Sequence, residues 1–187
     1  MSQNRYAFIC LHESAHCVVA IALGVKVSRV AAEQRGDGVA GEAYLTLPDD
    51  PCHATAILLA GVNSVNAFGH IAIESTDAPL SKPPNAAIPR DNQRQPAESK
   101  VSCETWHAGR APMAPGRDGG RIRDILSGKP DAMRIFGEAD RLSLRILDEN
   151  SRVLMILTAR LATAGELEFA DFQDLSARII PAKLEPV

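Results

Sequence analysis

Aromatic side chains are scarce in this sequence, at 4% of 187 residues against 45% apolar residues in all, so any core must be assembled from Ala, Leu, Ile and Val. Such a composition favours helices. Basic charge is not in excess either: a net charge of -3 supplies no general field for nucleic acid or an anionic membrane, and no local basic patch stands out. Cys10, Cys17, Cys52 and Cys103 form no CxxC pair and follow no zinc-finger spacing, which reads as small buried residues of a reducing cytoplasm. Long apolar runs are missing, since the longest is interrupted by His12, Glu13 and His16, and Met1-Ser2-Gln3-Asn4-Arg5 is no secretory n-region. There is no GxxxxGK[ST] phosphate loop, and so no sign of a nucleotide-driven motor.

What is present is concentrated in His12-Glu13-Ser14-Ala15-His16, an HExxH pentapeptide inside the apolar stretch Tyr6 to Val25. That stretch reads as a helix, capped by Ser2 or Asn4 and closing at Gly24. Histidines four apart on a helix project from one face, where their ring nitrogens can take two corners of a zinc tetrahedron. Glu13 then lies beside the metal and suits the role of general base toward water acidified by zinc. Ionisable residues set between Ala7-Phe8-Ile9-Cys10-Leu11 and Cys17-Val18-Val19-Ala20 would cost several kcal/mol without a compensating partner such as a metal. Cys17, four residues after Glu13, shares the face of the base and reads as a buried packing residue.

Beyond this helix, Lys26 to Val30 and Gly41 to Leu47, joined through Gly36-Asp37-Gly38, read as a hairpin. A second helix is expected from His53 to Phe68, stopping at Gly69. From Ile73 to Gly116 no period survives, and a connection of that length is expected to be a disordered or flap-like insert in which Trp106-His107 is the one chemically suggestive pair. A short helix follows over Gly119 to Ser127, then a longer one carrying Leu142, Ile146, Val153, Leu157 and Leu161 through a polar gap at Asn150. After Gly165 a last helix runs from about Asp171 to Ile179. Residues 1–72 and 117–180 are thus two parts of a single mainly α (α+β) domain, interrupted by 73–116 and ending in the tail 181–187.

A catalytic zinc takes three protein ligands. Besides the carboxylates, His53, His70 and His107 are available. Asp118 is the first choice, because it opens an ordered helix that the chain can bring back over the first; Asp124 and His107 stand in reserve. The alternative for Asp118 is the N-cap of its own helix.

The order of the HExxH helix, hairpin, apolar helix ending Phe68-Gly69, an aspartate four residues before Ile122, and a long helix ending at Leu167-Glu168 resembles the peptidase domain of FtsH-type ATP-dependent zinc proteases. Ile146-Leu147-Asp148-Glu149, Ile156-Leu157-Thr158 and Leu167 to Phe172 look like that family's C-terminal helices. The likeness covers roughly residues 5 to 70 and 116 to 178. It implies His12, His16 and an aspartate, best matched by Asp118, as ligands of Zn2+, with Glu13 as the catalytic base. It also implies a peptide substrate adding as a strand to a sheet edge near Val39 to Leu45. The chain departs from the family in the second helix, where Val62, Asn63, Ser64, Val65 and Asn66 replace an Arg and a Glu pair.

The expected function is that of a zinc metalloendopeptidase cutting unfolded or flexible protein segments in the cytoplasm, with no nucleic acid or membrane partner. A partner ATPase and a homo-oligomer stay open. Two rivals stand beside it: a regulatory HExxH protease acting on a repressor, and a non-catalytic helical scaffold that retains the fold.

Overall fold

The structure, a computed structural model, describes residues 2–36, 38–75, 100–103 and 117–183. Helix α1 (Ser2–Ala22) is followed by strands β1 (Val27–Arg35) and β2 (Gly38–Leu45) and by helix α2 (Pro51–Ser75). Strand β3 (Lys100–Cys103) precedes helices α3 (Arg117–Leu126), α4 (Ala132–Glu149) and α5 (Ser151–Ala164), and the chain ends in strand β4 (Glu166–Glu168) and helix α6 (Phe169–Ser176). The architecture is mainly helical with a small antiparallel sheet. Among the described residues, no helix is long and apolar enough to cross a membrane.

Helix α1 is the centre of the core. Ala7, Ile9, Cys10, Leu11, Ala15, Cys17, Val18, Val19 and Ala20 are all buried, on every side of the helix, and α2, α5, β1 and β2 pack around it. A helix that is apolar all round needs such a jacket. Its end is local chemistry: Gly24 adopts φ 76°, which lets Val25 N–H reach back to the Ala20 carbonyl at 2.8 Å and satisfies a terminal acceptor.

The sheet has the order β3-β2-β1-β4, antiparallel throughout. In β2 burial alternates as a half-covered strand requires, with Val39, Gly41, Ala43 and Leu45 toward the core and Glu42 and Tyr44 on the outer face. On that outer face the Arg29 guanidinium lies 4.0 Å over the Tyr44 ring and donates to Glu166 at 2.6 Å, tying β2, β1 and β4 together.

Several boundaries depart from the sequence expectations. Helix α2 runs through Gly69 to Ser75, because Gly69 is a contact point against Phe8 of α1: a β-carbon there would sit 2.9 Å from the ring. The long C-terminal helix is two helices. Asn150, with φ −113° and ψ 15°, breaks it, and its buried amide donates to the Ile146 and Ile180 carbonyls while its oxygen accepts from Ile180 N–H at 2.7 Å. Leu167 and its neighbours form β4 against β1, and the last helix begins earlier, at Phe169, where Asp171 accepts from the Glu168 amide. Lys100–Cys103, in the stretch expected to lack regular structure, pairs with β2 from Gly41↔Cys103 to Tyr44↔Lys100. That pairing fills Gly41 to Tyr44 of the edge expected to be open near Val39 to Leu45, with β1 on the other side of β2. An unpaired row of backbone groups beside the core is a template for any nearby extended segment, and the chain's own segment takes it.

Candidate metal centre

His12 and His16 stand one turn apart on α1, with ring centroids 4.7 Å apart and planes at 78°. Both face the start of α3, where Asp118 lies in the first turn. The carboxylate oxygen Oδ2 of Asp118 is 3.4 Å from His12 Nε2 and 3.4 Å from His16 Nε2. One candidate ligand atom from each of these three residues lies within 4.8 Å of the other two, a group able to hold a metal ion. Asp118 comes from more than a hundred residues away in sequence, carried by α3 packing against α2. Its position inside the helix leaves the alternative of an N-cap without support.

The electronic arrangement of the group is specified by its surroundings. His16 Nδ1 lies 2.7 Å from the Ile57 carbonyl of α2. A carbonyl only accepts, so Nδ1 carries the proton and Nε2 turns its lone pair toward Asp118 and His12. His16 Nε2 and Asp118 Oδ1 are buried and make no hydrogen bond. Leaving a buried polar atom in that state costs about 1–3 kcal/mol, which a cation seated among these atoms would offset. That orphaned pair is the structural sign that the donor set fits a metal.

The same geometry sets the titration of the metal-free group. Burial, aided by the neighbouring His16 and opposed by Asp118, holds His12 below the ordinary histidine value. Burial pulls His16 the same way, but the Asp118 carboxylate outweighs it and the value is raised. Asp118 is held well below the usual carboxylate range: burial works against this, and the two imidazoles overcome it.

Glu13 is fully buried and sits against Gly41 of β2. Cys10 and Cys17, also fully buried, have thiols pushed up mainly by burial; at Cys10 a hydrogen bond with Tyr6 opposes the rise, and Glu13 adds to it at both. Neither is a thiolate nucleophile near neutral pH, and Cys17 is a packing residue.

Of the other candidates, Asp124 is exposed on α3 and outside the group. His53 sits at the start of α2 beside Asp50, at 3.9 Å. The His70 side chain and the Trp106-His107 pair lie outside the described residues. The altered stretch of α2 has its own ties: Asn63 donates to Asp140 of α4 at 3.1 Å and Ser64 to the Gly61 carbonyl at 2.8 Å. Sequence reasoning did not single out the Ile57 carbonyl, which carries no side-chain signal, nor the glycines Gly41 and Gly61. Those two had one: each interrupts the interior of a regular element.

Among known proteins, no family model matches this sequence and no curated protein matches it significantly.

Proposed function

We propose that this chain is a zinc-dependent endopeptidase acting on unfolded or flexible protein segments, similar to the peptidase domain of FtsH-type proteases. The observation that carries the reading is the arrival of Asp118 at the two histidines of an HExxH helix, with the fully buried Glu13 between them in sequence. Ligand atoms at two corners of a tetrahedron, each about 2.0–2.1 Å from a central zinc, are about 3.3–3.4 Å apart. The two His–Asp separations of 3.4 Å meet that requirement, and two imidazoles with a carboxylate form a catalytic zinc set.

When bound, zinc supplies a Lewis acid that polarises the scissile carbonyl and brings the pKa of water to about 7. His16, with its proton fixed on Nδ1 by Ile57, offers Nε2 as ligand, and Asp118 balances half of the ion's charge. Glu13 accepts the proton of the attacking water on its carboxylate and delivers it to the leaving amine nitrogen as the C–N bond breaks.

The third ligand also weighs between the rivals. An acidic residue closer to α1 would favour a repressor-cleaving protease, whereas Asp118 supports the FtsH-like set. Assay of a casein-like unfolded protein with zinc-loaded chain separates the enzyme from the scaffold. The proposal expects cleavage that a chelator abolishes and zinc restores; stoichiometric zinc without cleavage would support the scaffold.

A further inference from the structure

Two glycines stand against two different parts of the centre. Gly61 lies in the interior of α2, where alanine would be the more stable residue. A β-carbon there would sit 2.3 Å from both Cε1 and Nε2 of His12 and 2.6 Å from Cδ2, an overlap that forces the half-buried ring or the helix to shift. Gly41 lies in the interior of β2, where a glycine marks a close approach. Its β-carbon would be 2.5 Å from Glu13 Cγ, 2.7 Å from Glu13 Oε1 and 2.8 Å from Ile9 Cγ2.

We propose that Gly61 and Gly41 are positioning residues with separate duties: Gly61 seats the ligand nitrogen of His12, and Gly41 seats the carboxylate of Glu13. The inference rests on the zinc-peptidase reading for what those two side chains do, but not for the fit itself. Both glycines are local sacrifices, one of helix propensity and one of strand packing, and each lies against a side chain of the HExxH motif. A methyl at 61 displaces a metal ligand, while a methyl at 41 displaces the proton carrier and leaves the ligands where they are.

The test reads metal binding, catalysis and stability separately on the full chain. Gly61→Ala should weaken zinc, measured by competition with a chromogenic chelator, by about 100-fold or more. Gly41→Ala should keep one zinc per chain and the wild-type visible spectrum of its cobalt form, while kcat falls about 100-fold at nearly unchanged KM. In Gly41→Ala/Ile9→Ala, where Glu13 alone still meets the added methyl, cleavage should stay low. The stability readout needs neither metal nor activity: Gly61→Ala should lower the melting temperature of the wild type and raise it in a His12→Ala background, where the ring is gone and only helix propensity remains. If Gly61→Ala does not fold by itself, folding of the double variant gives the same answer. Equal destabilisation in both backgrounds, or wild-type zinc affinity in Gly61→Ala, would overturn the role of Gly61. Recovery of cleavage on adding Ile9→Ala, or loss of zinc in Gly41→Ala, would overturn that of Gly41. A wild type that takes up no zinc would sink the peptidase reading and leave the stability comparison to decide the seat of His12.

Discussion

Helices α1 and α4 treat ionisable side chains in opposite ways. In α1, Glu13, Ser14 and His16 are all fully buried, inside a helix whose every face is covered. In α4 the charges lie outside: Arg134 reaches Glu138 at 2.9 Å and also Asp131, all at the surface, while Ile135, Ala139, Ser143, Ile146 and Leu147 form a single inward stripe with no ionisable group in it. The second arrangement is what stability and solubility alone produce. The first is costly unless the buried groups serve something, and the three that converge, His12, His16 and Asp118, do so with ligand geometry. The contrast sets the group that could hold a metal ion apart from an ordinary solvated helix face.

The comparison can be broken most severely in α1. His16→Ala removes a ligand and the Ile57 hydrogen bond together. Stoichiometric zinc should be lost on dialysis and cleavage with it, as read by metal analysis and a peptide assay; a variant that still holds one zinc per chain would show that His16 is no ligand. At the junction of α4 and α5 the expected effect is on stability alone. Asn150→Ala deletes the hydrogen bonds to Ile146 and Ile180 and should lower unfolding free energy by about 1–3 kcal/mol in urea titration, with zinc affinity unchanged.

The buried side should also be the pH-sensitive one. A metal ion held by the group would need His16 with a free Nε2, and in the metal-free protein Asp118, against burial, raises the His16 pKa above its ordinary value. Protons therefore compete with the metal, so affinity is full above that raised value and falls by about tenfold per pH unit below it. A chelator competition series across neutral and mildly acidic pH checks the sign; affinity that rises on acidification would contradict it. The smallest effect belongs to the outer face of α4. Arg134→Ala, at a fully solvated ion pair, should leave both melting temperature and zinc binding where they were.

Much of this was legible in the sequence for a physical reason: periodicity and motif spacing are local. His12, Glu13 and His16 could be read because four residues make a helical turn, and Gly24 because a left-handed C-terminal position selects glycine. Asp118 could be named as the first of several candidates, but its arrival depends on how α3 packs on α2, which no window of sequence contains. Strand β4 is three residues long and β3 four, too short to show alternation, so the sheet read as a bare hairpin. Asn150 looked like a gap in an apolar stripe, whereas its hydrogen bonds to Ile180, thirty residues on, make it a helix break. Gly69 read as a stop because glycine often ends helices, and here it accommodates Phe8 instead.

The central claim is that the polar groups buried in α1 and at the start of α3 hold zinc and move a proton. Zinc per chain and cleavage of an unfolded protein, measured side by side in wild type and Glu13→Gln, test it most directly. The account predicts one zinc in both proteins and cleavage in the wild type alone, reduced by about 10²–10⁴-fold in the variant. No zinc in the wild type, or equal cleavage by the two, would contradict it.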